Sequence, residues 1–315
     1  MIPHTPEDES LPEPHTMKTD DGYHWHVLGA GAIGLLFAAY LQRAGGTITL
    51  LDHSGSGEQL RTASLSGLEP TGEWAFPVSD IAEAGAIERV LVTTKAYNAE
   101  AALRSVQHRL SASSSVVLMV NGMGIADALT SSLNNAALYL ATTTEGAHRQ
   151  GSNTVVHAGT GLTQIGSANG SPPPTWFSMF ERALPACHWE QDMAACLWRK
   201  LAINAAINPL TAVLRCKNGE LAGDPADQVR ALCSEIQIVA EAAGMGRATA
   251  ELASVVFAVI QGTAENRSSM LQDIEARRRT EVDYINGWLV QEAEKFGVPV
   301  PHNRALWEAV KSLDG

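Results

Sequence analysis

The feature that most constrains this chain is a glycine-rich turn, Gly29-Ala30-Gly31-Ala32-Ile33-Gly34. A short apolar run, His26-Val27-Leu28, precedes it, and an apolar helix-forming run from Leu35 to Arg43, closed by Gly45-Gly46, follows. In that setting each glycine has its own task. Gly29 permits the tight turn, Gly31 lets a pyrophosphate approach the backbone, and Gly34 lets helix pack closely on strand. Ala30, Ala32 and Ile33 complete a turn whose helix N-terminus faces the anion with free N–H groups and a favourable dipole. A glycine turn without a ligand is the alternative, and the flanking strand and helix weigh against it.

A strand–turn–helix start implies an α/β fold, and the next 140 residues agree. Apolar runs at 47–51, 90–93, 116–120, 138–140, 154–157 and 162–165 alternate with helical or loop stretches, which predicts a mostly parallel sheet covered on both faces. Beyond about residue 190 the strand pattern gives way to long helical patterns. With 315 residues the chain has room for about two domains. The expected organisation is an acidic, disordered tail over 1–22, a Rossmann-type dinucleotide-binding domain over 23–190 and an all-helical domain over 191–315.

The tail reading rests on composition. Residues 1–21 carry six acids and one lysine with almost no large apolar side chains, too little to offset the entropy of ordering. The whole chain has 22 Lys+Arg against 34 Asp+Glu, and no basic cluster exceeds Arg277-Arg278-Arg279, so a nucleic-acid or anionic-membrane partner is not expected. The uncharged stretch from Gly22 to Gln42 is broken by glycines and reads as a soluble strand–turn–helix. Four cysteines at 187, 196, 216 and 233 form no C-x-x-C, so neither a metal site nor a disulfide framework is expected, and a reducing cytoplasm fits.

Further regions carry chemistry. Asp52 ends the second strand 23 residues after Gly29, near the spacing at which an acid meets the adenosine ribose, which favours NAD; a 2'-phosphate would prefer a cation, and His53, Ser54 and Ser56 lie nearest, with Arg61 further off. In Trp198-Arg199-Lys200-Leu201-Ala202-Ile203-Asn204-Ala205-Ala206-Ile207-Asn208-Pro209, Lys200, Asn204 and Asn208 recur every four residues and share one helix face. Asparagine is a poor helix-interior residue, so two in register with a lysine suggest either a polar ligand or a solvated face. Lys95 and Asn121 end apolar strands, where ligands bind in open α/β sheets. A later segment has Asn266 and Ser268-Ser269 ahead of a helical run from Met270 through Gly287. Ser269 with Gln272 reads as a capping box, and Glu281 as a surface charge on helix physics alone.

Taken together, GAGAIG, VTTKA, NGMG, WRKLAINAAINPLTA, NGEL and AENRSSMLQDIEARRRTEVDYING resemble the ketopantoate reductase family in content and order over residues 26–310. The resemblance implies an NADPH-dependent reduction of the 2-keto acid ketopantoate in pantothenate biosynthesis. It implies Lys200 as general acid and Glu281 as the carboxylate that orients the substrate's oxygens. Asn204, Asn208, Ser269 and Asn266 would contact substrate, and Lys95 and Asn121 would lie beside the nicotinamide. A homodimer is compatible with it. Two positions depart from the family pattern. His53 stands where an arginine is usual, which opens the way to NADH, and Glu145 follows Thr142-Thr143-Thr144 where a histidine or an uncharged residue is expected. The competing readings are a reductase of another branched 2-keto acid and a cofactor-bound regulator without turnover; a regulator would be expected to have lost the lysine or the glutamate.

Overall fold

A computed structural model of the chain describes residues 22–53, 55, 57–151 and 153–314. Apart from Gly22, the tail expected over 1–22 lies outside the described residues, as do Ser54 and Ser56. The first part contains β1 (His24–Leu28), α1 (Ala32–Arg43), β2 (Thr47–Asp52), β3 (Leu60–Gly67), β4 (Gly72–Asp80), β5 (Arg89–Val92), α2 (Ala96–Val106), β6 (Ser115–Leu118), α3 (Ile125–Leu129) and β7 (Ala137–Thr143). It continues with β8 (Gly146–Gln150), β9 (Thr154–Gly159), β10 (Thr163–Ser167), α4 (Phe177–Ala183) and β11 (Cys187–Trp189).

These strands form one sheet in the order β11-β10-β7-β6-β5-β1-β2-β4-β3-β9-β8. The run from β7 to β4 is parallel throughout. Its order reverses at β1, with β2 on one side and β5 on the other, so a crevice opens at the carboxyl ends of β1 and β5. Helices α1 and α4 bury one face of the sheet, and α2 and α3 the other.

The expected strands are all present, and four, β3, β4, β8 and β11, were not anticipated. β3 and β4 form an antiparallel hairpin, the expected β9 runs beside β3, and β8 closes the edge. This arm wraps α1: the Tyr40 hydroxyl donates to the Glu69 carbonyl at 3.3 Å, and its ring meets His157 edge-on at 6.0 Å. The hairpin strands bury few large side chains, chiefly Ala63, Leu65 and Phe76, so their apolar alternation is weak in the sequence. β11 is too short to announce itself.

From residue 193 onward the described chain is helical: α5 (Met193–Leu214), α6 (Ala226–Ala242), α7 (Leu252–Gly262), α8 (Ser269–Glu275), α9 (Trp288–Lys295) and α10 (Pro301–Lys311), joined by short turns. They enclose a core of their own, built on residues such as Leu201, Leu210, Ile236, Val256 and Leu289. The run from Met270 to Gly287, expected as one helix, is broken. α8 ends at Glu275, Arg277 adopts a left-handed φ of 51°, and the chain resumes in a π-turn over Asp283–Gly287. The Arg278 N–H donates to the Asp273 carbonyl at 2.8 Å while its Nε pairs with the Asp273 carboxylate at 3.0 Å, which fixes the break.

Candidate active site

The glycine turn leaves β1 with Gly29 at φ 111°, and a Cβ there would lie 2.6 Å from the Thr94 nitrogen. A Cβ on Gly34 would lie 2.1 Å from the Gly29 carbonyl oxygen, so only glycine lets α1 start this close to β1. Thr93, at the end of β5, donates its hydroxyl to that same carbonyl at 2.7 Å. Gly31 differs: a Cβ there would meet nothing within 4 Å. No side chain caps α1, and its first turn holds no acid. The N-terminal N–H groups of α1 therefore face open space at the switch point, a cradle that suits a pyrophosphate.

Asp52 ends β2 almost fully buried, and the β3–β4 hairpin brings Arg61 back beside it, the guanidinium 3.4 Å from Oδ1 and its Nε 2.9 Å from the Glu58 carboxylate. Sequence order had put Arg61 too far away to count; only the hairpin supplies this proximity. His53 is exposed.

The helical part supplies the other wall of the crevice. α5 is continuous across Pro209, so Lys200, Asn204 and Asn208 do share a face. Pro209 has no N–H, which leaves the Ala205 carbonyl without its helical partner; Asn286 Nδ2 donates to it at 3.1 Å. That bond fixes the register of the π-turn, and with it the preceding Glu281, against α5. Lys200 Nζ donates to the Thr143 carbonyl at the end of β7 at 2.8 Å. Burial pushes its amine down to about 8 from an ordinary 10.5, with the Glu281 carboxylate pulling partly back. Neither the half-buried Asn204 amide nor the buried Asn208 amide has a hydrogen-bond partner among the described residues.

Glu281 is buried, contrary to the surface reading of helix physics, because the break after α8 turns it inward. Its Oε1 accepts the Ala96 N–H at 2.9 Å, capping α2 from far along the chain, and its Oε2 accepts from Asn121 Nδ2 at 3.1 Å and Lys95 Nζ at 3.5 Å. Lys95 also pairs with Asp273 at 2.6 Å. Burial alone would lower the Lys95 amine, but Glu281 and Asp273 outweigh it and hold it above its ordinary value. Asn121 reaches this cluster because Gly122, at φ 90°, lets the strand tip lie flat on the π-turn; a Cβ there would sit 2.5 Å from the Tyr284 carbonyl oxygen.

The capping reading of Ser269 needs correction. Ser268 is the N-cap of α8, its hydroxyl accepting from the Leu271 N–H at 3.1 Å, while the Gln272 amide donates to the Arg267 carbonyl at 2.9 Å. Ser268 also bonds Thr211 at 2.7 Å and the Asn208 carbonyl at 3.4 Å, which seats the start of α8 over the Asn208 turn of α5. Ser269 and Asn266 are exposed beside it. Lys200, Asn204, Asn208, Glu281, Asn121 and Lys95 thus come from the facing surfaces of the two parts. Asp273 and the Thr143 carbonyl join the site unannounced, since neither has a local sequence signal.

Comparison with known proteins agrees with this arrangement. The family model described as "Ketopantoate reductase PanE/ApbA" matches residues 25–170, and that described as "Ketopantoate reductase PanE/ApbA C terminal" matches 192–314. A protein of Vibrio cholerae named 2-dehydropantoate 2-reductase is 36% identical over 91% of this chain and 97% of its own. One of Archaeoglobus fulgidus with the same name is 32% identical over the same shares. Among solved structures, D-mandelate dehydrogenase with NADH and anilino(oxo)acetate superposes with a TM-score of 0.82 at 22% identity, covering 92% of this chain and 98% of that one, a likeness of fold. Among the described residues no helix is long and apolar enough to cross a membrane.

Proposed function

This chain belongs to the ketopantoate reductase family, and on that footing we propose that it is a 2-dehydropantoate 2-reductase that reduces ketopantoate to pantoate with NADPH. Residues 23–190 bind the dinucleotide and 191–315 the substrate. The carrying observation is the α5 face: a half-buried lysine with an amine near 8, in register with two amides that have no partner within the described chain. The open cradle before Gly31 suits the dinucleotide, which when bound supplies the hydride for the 2-keto carbon. Lys200 does the rest of the carbonyl chemistry. Its ammonium stabilises the oxygen as negative charge develops there and then gives up a proton, and an amine near 8 is still mostly protonated at neutral pH yet yields its proton readily. Asn204 and Asn208, with Ser269 and Asn266 at the start of α8, supply donors and acceptors for the substrate's carboxylate and hydroxyl. Glu281, clamped by Ala96, Asn121 and Lys95, orients the substrate's oxygens and keeps the Lys200 ammonium charged.

For the cofactor, Arg61 takes the place of His53 as the candidate cation. Its guanidinium partly offsets the charge of Asp52, and with its Nε and Nη2 against Glu58 it keeps Nη1 for a 2'-phosphate. NADPH is therefore the cofactor expected, with Arg61 in the part usually played by an arginine at position 53. Steady-state oxidation of NADPH and NADH with ketopantoate and a panel of branched and aromatic 2-keto acids tests the assignment. It predicts the highest kcat/KM for ketopantoate with NADPH, and an NADPH preference that narrows by about tenfold in Arg61→Ala, the size of one charge-assisted contact. Preference for another keto acid, or for NADH in the wild type, would overturn the corresponding half.

A further inference from the structure

Glu145 breaks the family pattern, and its surroundings give it a purpose. Its side chain has no exposed surface and its Oε2 lies 2.7 Å from His157 Nε2, itself without exposed surface. The other ring nitrogen of His157 faces the Glu69 carbonyl at 2.8 Å, and Nε2 also faces the Gly159 carbonyl at 3.1 Å. A carbonyl oxygen only accepts, so Nδ1 carries hydrogen toward Glu69, and the Nε2 edge is shared between the Glu145 carboxyl and the Gly159 carbonyl. The pair ties the residue after β7 to β9 and to the turn between β3 and β4, the arm that wraps α1.

What that tie controls is the tip of β7. The Glu145 N–H donates to Thr143 Oγ1 at 3.1 Å, and that hydroxyl also bonds Thr163 Oγ1 on β10 at 2.9 Å. Thr144 and Leu162 share three further bonds, at 3.0, 2.9 and 3.4 Å, and Gly161 admits the crossing because a Cβ there would lie 2.2 Å from the Thr144 carbonyl carbon. The Thr144 N–H belongs to the same peptide as the Thr143 carbonyl and fixes its plane directly, while the other contacts brace the segment on either side. The Thr143 carbonyl in turn accepts the one hydrogen bond that Lys200 Nζ makes among the described residues.

We propose that Glu145 and His157, acting through the Thr143–Thr163 hydroxyl pair, are positioning residues that hold the Lys200 amine where it meets the substrate carbonyl. The inference rests on the reading of Lys200 as proton donor. Thr163→Val keeps the buried shape but removes the hydroxyl that pins Thr143, and Glu145→Gln exchanges the carboxyl that meets His157 for an amide. In both, kcat should fall roughly 10- to 100-fold, as for a catalytic group held slightly out of place. The KM for ketopantoate and the NADPH Kd from fluorescence titration should stay within about twofold, and Thr163→Ser should restore kcat. Should Glu145→Gln fail to fold by circular dichroism, the Thr163 pair decides alone. In a Lys200→Ala background, adding Thr163→Val should leave the residual kcat unchanged, because the residue it positions is gone. Wild-type kcat in Thr163→Val, or losses that simply multiply in the double variant, would overturn the proposal and leave the Lys200 assignment standing. Wild-type turnover in Lys200→Ala would overturn both.

Discussion

Two clusters of polar side chains meet α5 within one turn of each other and use their hydrogen bonds in opposite ways. Glu235 accepts the His302 and Asn303 N–H groups at 2.8 and 2.9 Å and the Asn303 amide at 2.8 Å, capping α10, and Asn303 accepts in turn from Asn286 at 3.2 Å. Every side-chain polar atom of that cluster except Asn286 Oδ1 is bonded within the chain, so it is nearly closed. Lys200, Asn204 and Asn208 make one such bond between them, to a backbone carbonyl. The first cluster's bonds join α6, α10 and the π-turn and serve the fold, whereas the Asn204 and Asn208 amides keep their donors and acceptors for a ligand.

The largest expected effect that would break this contrast is kinetic. Lys200→Ala should lower kcat by about 10² to 10⁴-fold with little change in cofactor affinity, and wild-type turnover would put Lys200 with the structural residues. Wild-type kcat should also fall as pH rises through about 8, where the amine loses its proton. The same shift has a stability signature. With a folded value near 8 below an unfolded 10.5, the unfolded chain binds more protons between those values, so stability should rise with pH across that window. That rise, on the order of 3 kcal/mol at most, should vanish in Lys200→Ala.

Next comes the closed cluster. Asn303→Ala strands Glu235 and Asn286, and should cost about 3 kcal/mol of stability in denaturant melts while kcat stays within about twofold. Asn208→Ala should do the reverse, raising the KM for ketopantoate about tenfold while shifting stability by less than about 0.5 kcal/mol. If Asn303→Ala lost activity at full stability, or Asn208→Ala lost stability at full activity, the two clusters would have to trade labels. The smallest effect is a control at the start of α5, where Asp192 caps the helix by accepting the Ala195 N–H at 3.0 Å. Asp192→Ala should cost about 1 kcal/mol and leave the kinetics unmoved.

What was legible in the sequence was whatever has a short period or a local grammar. The glycine turn, the strands of the parallel sheet and the shared face of Lys200, Asn204 and Asn208 follow from spacings of two and of three to four residues. The identity of the acid came from resemblance, since spacing alone left a solvated face equally open. What stayed hidden depends on contacts between distant segments. Glu281 read as a surface charge until the left-handed Arg277 turned it inward, and Ser269 read as a cap because neighbouring serines cannot be told apart without the backbone. Arg61 is nine residues from Asp52 in sequence and reaches it only through a hairpin whose strands bury too little to be seen.

Pro209 bears on how the molecule can move. A helix interior is usually indifferent to translation, since each turn presents the same saturated backbone to its neighbours. α5 is not, because a single carbonyl, that of Ala205, is spoken for by Asn286 from outside the helix. Sliding the 281–287 segment by one turn would strand that carbonyl and press the asparagine against one already engaged, so the shear motions by which packed helices commonly adjust are blocked here. α5 and the Glu281 segment are thereby coupled, and they meet the strand tips through the Asn121–Glu281 and Lys200–Thr143 bonds.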